Sequence, residues 1–255
     1  MGEHVRVEQG EGRLSITLSR PERRNAITIA MYAELANALE QAASDPSIRV
    51  VTFRGDGQDF AAGNDLMDFL EAAPRGSEEI PVMRFLRALV ACETPLVAAV
   101  HGNCVGIGTT MLLHCDLVIA EEGARFSLPF VDLGLVPEAA SSLLLPWLAG
   151  RRLAARHLLL AEPFGVVEAE AMGIISHRAP KGQLQPELER IMQALLAKPA
   201  EALRQTQRLL RKEARDRILE RIKLEGEIFA ERLSSPEVAG AINAFFEKGK
   251  RGSNA

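Results

Sequence analysis

The chain has 255 residues, of which 47% are hydrophobic and 25% are charged, and its net charge is −4. These proportions are those of an ordinary globular protein with a sizeable core, and the slightly acidic balance gives no electrostatic reason to expect nucleic acid or an anionic membrane as a partner. The most apolar span, residues 95–120, contains His101, Asn103, His114 and Asp116, so we expect no membrane-spanning helix.

The three cysteines, Cys92, Cys104 and Cys115, are an odd number and show no Cys-x-x-Cys spacing. They stand among apolar residues, as reduced core cysteines do, and the first residues of the chain carry no apolar signal core. We therefore expect a protein of the reducing cytoplasm.

The first half of the chain alternates between strand and helix patterns. Alternating apolar residues at 5–7 and 14–18 surround the turn Gly10-Glu11-Gly12 and predict a β-hairpin. Apolar residues at helical spacing predict a helix from about Thr28, a suitable N-cap, to Ala43. Further predictions are strands at 48–53 and 96–102, helices at 82–92 and 108–114, and a strand–turn–strand unit within 116–129. This alternation favours an α/β fold with parallel strands.

Helical patterns dominate after Gly150, interrupted by the short apolar segment 174–180. The predicted helices lie within 151–164, 166–173, 186–198 and 201–233. Acidic and basic residues are interspersed in the last of these, which is typical of a solvated helix face and not of a nucleic-acid site. We expect this helical tail to pack against the core or against a neighbouring subunit.

Two segments rich in small residues, 60–66 (FAAGNDL) and 101–108 (HGNCVGIG), each follow a predicted strand and precede a helix. Free backbone N–H groups in such segments, and the helix dipole behind the second, can hold one negative oxygen between them as an oxyanion hole. Two tight turns with small residues for packing would explain the same pattern. Neither segment matches a dinucleotide or P-loop fingerprint, because the glycine spacing differs and no Gly-Lys-Ser/Thr follows.

A carboxylate, Glu138, ends the mostly apolar stretch 129–138 (PFVDLGLVPE) and precedes a helical pattern. An acidic residue after a proline at a helix start is favoured by the helix dipole and needs no further function. The alternative is a base in an apolar pocket, where neighbours such as Phe130, Leu135 and Val136 would exclude water and strengthen the base. From this pattern alone, both interpretations stay open.

Several motifs occur together along nearly the whole chain. They are RPERRNAIT, FAAGNDL, the glycine-rich segment before the helix, CDLVIAEEGARFSLP, LGLVPEAASS and LAEPFGVVEAEAMGII. In their order and spacing the chain resembles the enoyl-CoA hydratase/isomerase (crotonase) superfamily. The resemblance implies an α/β fold of the crotonase type, with a ββα spiral core at 1–195 and a C-terminal helical trimerisation region at 196–255. It also implies an acyl-CoA substrate, a homotrimer or hexamer, no metal and no bound redox cofactor, since coenzyme A enters as part of the substrate.

The resemblance also implies roles for individual residues. The thioester oxygen would accept hydrogen bonds from the backbone N–H groups of Ala62 and Ile107. Arg24 could instead be an unpaired surface arginine. Asp65 could instead brace its loop without contacting the substrate. The residues that match substrate or CoA contacts are Arg24, Ala26, Ala62, Asn64, Asp65, Leu66, Ile107 and Phe130, with Phe245 and Lys248 near the C-terminus.

Two positions separate the branches of this superfamily. Family hydratases hold a water molecule between two glutamates, and at the matching positions this chain has Thr110 and Phe130. Hydration needs one group that orients or deprotonates the water and another that manages the proton at the other carbon, so we do not expect efficient hydration. The segment that ends in Glu138, together with Ile107 where hydratases usually have glycine, is similar to the Δ3,Δ2-enoyl-CoA isomerases of the peroxisomal type.

The resemblance therefore favours an enoyl-CoA isomerase with Glu138 as its catalytic base. Glu138 would take a proton from C2 of a 3-enoyl thioester and return it to C4, while the two N–H groups stabilise the enolate. The first alternative is a hydratase or another lyase of the same fold that uses an unrecognised acid. The second is a non-catalytic acyl-CoA-binding protein that has kept the fold.

Overall fold

The computed structural model describes residues 4–71 and 80–241 of the chain. The strands in these ranges are β1 (Val5–Gly10), β2 (Arg13–Leu18), β3 (Val50–Gly55), β4 (Leu96–Val100), β5 (Asn103–Val105), β6 (Leu117–Glu121), β7 (Arg125–Ser127), β8 (Phe164–Gly165) and β9 (His177–Ala179). Six of them form one sheet in the order β1-β2-β3-β4-β6-β9, and β5, β7 and β8 form a second. In the larger sheet β1 and β2 are antiparallel, and all other neighbours are parallel.

Helices cover both faces of the larger sheet. They are α1 (Ile29–Ser44), α2 (Leu66–Glu71), α3 (Pro81–Ala91), α4 (Ile107–Thr110), α5 (Ser141–Ala149), α6 (Arg151–Leu159), α7 (Val166–Ala171), α8 (Leu184–Leu196), α9 (Ala200–Arg211) and α10 (Arg215–Leu233), and residues 236–241 are also helical. Helix α1 begins where the sequence predicts, because Thr28 Oγ1 accepts the Met31 N–H at 3.2 Å. Its buried face packs against α3.

The central strands are buried on both faces, as parallel strands between helices must be. Successive side chains of a strand point to opposite faces, and β4 shows this alternation clearly. Leu96, Ala98 and Val100 join the main core with α1 and α3. Val97 and Ala99 face a smaller apolar cluster that α8 completes.

Most of the strand and helix predictions are confirmed. The differences include β8 and β9, which were not predicted, the break between α9 and α10 within the predicted helical run 201–233, and two that concern β5, β6 and β7. The segment 116–129 does contain two strands joined by a turn, but they do not pair, because β6 lies between β4 and β9 whereas β7 lies between β5 and β8. Strand β5 lies inside the glycine-rich segment that the sequence analysis treats as a loop. Three residues are too few to show an alternation that sequence patterns can detect.

A partly buried polar network attaches the C-terminal helices to the core. Arg211 of α9 donates to Asp116 at 3.0 Å and to the carbonyl oxygen of His114 at 2.6 Å. Asp116 also accepts the N–H of Leu96 at 2.8 Å, which ties the network to β4. The division of the chain at residue 195 stays a prediction. In residues 4–71 and 80–241, no helix has the length and apolarity needed to cross a membrane.

Candidate active site

A cavity of about 390 Å³ opens where the two segments rich in small residues meet. A parallel β-bridge between Ile27 and Asn64 connects the segment 60–66 to the residues just before α1. A second parallel bridge, between Ala61 and Cys104, connects the same segment to β5. Most of the substrate-contacting positions predicted from the sequence line this cavity: Ala26, Ala62, Asn64, Asp65, Leu66, Ile107, Phe130 and Glu138. A smaller space of about 80 Å³ continues past Glu138 between α3 and α10.

The backbone donors of the cavity differ from the predicted pair. The N–H of Ala62 donates to the carbonyl oxygen of Arg24 at 2.9 Å. It is therefore not free to bind a substrate oxygen, and the prediction that Ala62 supplies an oxyanion donor is wrong. Ala62 keeps a place in the cavity wall.

For the N–H groups of Asn64 and Ile107, no backbone acceptor is found among the described residues. Gly63 O accepts from Ile27 and Asp65 N–H donates to Ile27, so the N–H of Asn64 between them points the other way. Ile107 is the first residue of α4, and first-turn N–H groups have no intrahelical acceptor. The two donors are neighbours, because a Cβ on Gly106 would lie 3.9 Å from Gly63 Cα. The alternation of N–H directions along 60–66 is the signal that would have pointed to Asn64.

Glu138 is 7% exposed, and its Oε1 is buried without a hydrogen-bond partner. Burial raises the pKa of this carboxyl to about 8, against a lowering by the side chain of Asn64 and with a further raising by the charge of Glu225. Apolar residues on the cavity wall, Phe130 and Leu135 among them, keep water from screening it. Such a carboxyl is a proton acceptor of useful strength near neutral pH.

Tyr32 fixes the Asn64 side chain that faces Glu138. The Tyr32 hydroxyl donates to Asn64 Oδ1, which leaves the Asn64 amide NH₂ for the Glu138 carboxylate. Burial, together with the negative charge of Glu138, raises the pKa of Tyr32, so its hydroxyl keeps the proton it donates. The sequence analysis did not single out this residue, although it is the one tyrosine of the chain and stands on the buried face of a predicted helix.

Four other positions named in the sequence analysis have clear surroundings. Arg24 does not line the cavity, because its side chain is 74% exposed with Nε 3.9 Å from an oxygen of Asp59, and Arg23 lines the cavity in its place. Asp65 accepts Arg20 Nη1 at 2.7 Å and the N–H of Met67 at 3.2 Å, which makes it a brace of the loop. At the hydratase positions Thr110 is buried, with its Oγ1 unpartnered, and Phe130 presents a ring. Phe245 and Lys248 lie outside the described ranges.

Comparisons with known proteins agree with this geometry. The profile of the family described as "Enoyl-CoA hydratase/isomerase" matches residues 8–252. The chain is 32% identical to "Enoyl-CoA delta isomerase 2" of Rattus norvegicus over 248 residues, which are 94% of this chain but only 63% of that protein. It is 35% identical to "2,3-dehydroadipyl-CoA hydratase" of Escherichia coli K12 over 201 residues, 76% of this chain and 79% of that protein.

Solved structures extend the likeness to the whole fold. A crystal structure of an enoyl-CoA hydratase/isomerase from Pseudoalteromonas atlantica T6c superposes with a TM-score of 0.92 at 40% identity, covering 96% of this chain and 98% of that one. The predicted crotonase-type fold with a C-terminal helical region is thereby confirmed. The chain therefore belongs to the enoyl-CoA hydratase/isomerase family, whose members process acyl-CoA thioesters.

Proposed function

We propose that the protein is a Δ3,Δ2-enoyl-CoA isomerase that uses Glu138 as its only proton carrier. The observation that carries this proposal is a buried carboxyl with one unpartnered oxygen and a pKa of about 8, in the cavity where the N–H groups of Asn64 and Ile107 have no acceptor among the described residues. The delta-isomerase names of relatives from rat and mouse support the same choice.

The reaction follows from this arrangement. The thioester oxygen accepts from the two N–H groups, which makes the C2 proton acidic by stabilising the enolate. Glu138 breaks the C2–H bond and becomes a carboxylic acid, and the electron pair spreads over C2, C3 and C4. Glu138 then protonates C4, so the double bond moves from C3–C4 to C2–C3 and the carboxylate is restored. These two proton transfers are redox-neutral and return the proton to the substrate, so neither a metal nor a redox cofactor is included in the proposal.

Hydration fits the cavity less well. It requires polar groups on two sides of a water molecule, and the matching positions carry Phe130 and the hydroxyl of Thr110. A dry wall favours the isomerase, because water would compete for the dienolate. The hydratase name of the Escherichia coli relative is the reason to measure both reactions.

We propose a homotrimer or hexamer as the working form. Leu159, Leu160 and Val167 are each more than 60% exposed, and large apolar side chains of this kind favour a subunit contact. Sedimentation velocity at assay concentration tests this, and a monomer would contradict it. The cytoplasmic location stays a prediction.

The decisive experiment compares wild type with Glu138→Gln. Conjugation of trans-3-hexenoyl-CoA and hydration of crotonyl-CoA are followed separately, and Glu122→Gln, an exposed carboxylate away from the cavity, is the matched control. We expect Glu138→Gln to lower isomerisation about 100- to 10,000-fold, since general acid–base catalysis contributes that much. Fast hydration that does not depend on Glu138 would reject the proposal, and CoA binding without any turnover would support the acyl-CoA-binding alternative.

A further inference from the structure

The turn that follows Glu138 has an unusual backbone. Ala139 and Ala140 both lie in the left-handed region, with φ of 57° each, and helix α5 begins immediately afterwards at Ser141. This conformation is unfavourable for a residue with a Cβ, and two in succession need support from their surroundings. The direction in which the Glu138 side chain points depends on this turn.

Glu225 of α10 supplies that support from a distant part of the chain. Its Oε2 accepts the N–H of Ala140 at 2.6 Å. Its Oε1 accepts the N–H of Ser142 at 3.0 Å and the Ser142 hydroxyl at 2.5 Å. The carboxylate thus occupies the N-terminal end of α5, where a helix favours negative charge. Both its oxygens are used as acceptors, which is the pattern of an ionised carboxylate.

A further contact sets the direction of the Ser142 hydroxyl. Arg221 Nη1 donates to Ser142 Oγ at 2.9 Å, so the hydroxyl proton is turned toward Glu225. The pKa of Glu225 lies above its usual value, because burial outweighs the lowering by the donors from Ser142 and Ala140 and by the charge of Arg221. Glu225 is 5% exposed, so its interactions are hardly screened by water.

We propose that Glu225 is a positioning residue for Glu138, holding the left-handed turn at 139–140 in place and setting a second negative charge behind the base. The inference rests on the proposed function, because it treats Glu138 as the base. The inference adds Glu225 to the residues on which proton transfer depends, although Glu225 does not line the main cavity. Proton transfer then depends on how α10 docks on the start of α5.

The effect of the Glu225 charge on Glu138 can be separated from the effects of the neighbouring titratable groups. Tyr32 of α1 faces it and keeps its proton, and Arg221 sits behind Glu225. His114 Nε2–H donates to the Ala139 carbonyl oxygen at 2.8 Å, and burial lowers the pKa of His114 to about 4, so its ring is neutral near neutral pH. Asp65 and Asp132 line the same cavity, but Glu225 is the carboxylate whose charge raises the pKa of Glu138.

The test uses full-length Glu225→Gln and Glu225→Asp, with Glu227→Gln as a control. Glu227 stands on the same helix with its side chain 63% exposed, beside Lys223. The protonation of Glu138 is followed by infrared titration of its carboxyl band, which is assigned by subtracting the spectrum of Glu138→Gln. Steady-state kinetics with trans-3-hexenoyl-CoA give kcat and KM separately, and circular dichroism checks the fold.

We expect Glu225→Gln to lower kcat about tenfold, the effect of one buried hydrogen bond left unmade, with KM nearly unchanged. The titration of Glu138 should move to lower pH in this variant, because a like charge has been removed. Glu225→Asp keeps the charge and loses reach, so kcat should fall while the titration stays near that of the wild type. Glu227→Gln should change neither.

Two results would overturn the inference. One is a folded Glu225→Gln protein with the kcat and the Glu138 titration of the wild type. The other is failure of both Glu225 variants to fold, since the residue would then serve the whole fold and not the base. If the wild type isomerises no 3-enoyl-CoA, the proposed function fails instead, and the infrared titration still decides whether Glu225 controls Glu138.

Discussion

Two carboxylates, Asp65 and Glu138, stand in the wall of the same cavity in opposite electrostatic surroundings. For Asp65, burial alone would raise the pKa, but the hydrogen bonds from Arg20 and from the first N–H groups of α2 lower it below its usual value. For Glu138, burial raises the pKa to about 8, and no cation in residues 4–71 and 80–241 lowers it. A carboxylate with a counterion becomes a fixed brace, whereas one without it becomes a base near neutral pH.

Apart from replacing Glu138 itself, the largest effect on kcat/KM should come from removing a backbone N–H that stabilises the enolate. Ile107→Pro deletes the N–H, and the first position of a helix accepts proline. We expect kcat/KM for a 3-enoyl-CoA to fall about 100- to 1000-fold, the usual effect of one lost oxyanion donor. Ile107→Val keeps the N–H and is the matched control. Near-normal isomerisation in a folded Ile107→Pro protein would show that the enolate is stabilised elsewhere.

The second prediction sharpens the contrast between the two carboxylates through their effects on stability. Between pH 4.5 and about 8 the folded state keeps a proton on Glu138 that the unfolded state has lost. Stability from this group is therefore lost as pH rises through that window, and Glu138→Gln should be more stable than wild type at pH 9 by up to a few kcal/mol.

Asp65 should show the opposite sign. Its pKa is lowered in the folded protein, so its contribution is present at neutral pH and is lost as pH falls through the acid range. Asp65→Asn should cost about 1–3 kcal/mol at neutral pH, the worth of hydrogen bonds to a charged group. Urea unfolding of both variants at pH 6 and pH 9 measures the two effects. If both substitutions changed the free energy of unfolding in the same direction at pH 9, the distinction between a bracing and a basic carboxylate would be contradicted.

The smallest effect concerns the space beyond Glu138. A Cβ on Gly226 of α10 would lie 3.2 Å from Met83 Sδ, so Gly226→Leu should fill the space of about 80 Å³ between α3 and α10. We expect kcat/KM for trans-3-dodecenoyl-CoA to fall at least about tenfold relative to trans-3-hexenoyl-CoA. A Cβ on Gly240 would meet nothing within 4 Å, so Gly240→Ala is the control. An unchanged ratio of the two substrates would mean that the acyl chain leaves by another path.

Local sequence patterns were sufficient for the regular elements that position the site. The period of apolar residues and the N-cap Thr28 located α1, and fully apolar runs located β3 and β4. The role of Glu138 was open from its own neighbourhood, because an acidic residue at a helix start has an adequate local explanation. The motifs spread over the whole chain favoured the interpretation of Glu138 as a base, and so does the burial of Glu138 in the fold.

Features that depend on distant contacts were missed. The family resemblance assigned an oxyanion donor to Ala62, yet the carbonyl oxygen of Arg24 accepts the N–H of this residue. The support of Asn64 by Tyr32 and of the turn at 139–140 by Glu225 joins residues 32 and 85 positions apart (64 − 32 and 225 − 140). No periodicity carries information of that range, so only the folded arrangement reveals it.

The carboxylate that caps α5 comes from α10, and this order has a consequence for biosynthesis. While the ribosome is still making α9, the sheets and the cavity walls from residues 60–138 are already outside or emerging, and domains fold as they emerge. In the turn behind Glu138, the N–H of Ala140 lacks its acceptor until Glu225 has been synthesised and has docked. A nascent or prematurely terminated chain would thus lack the support of this turn, and under the proposed function the ability to move a double bond would arise in one late step of maturation.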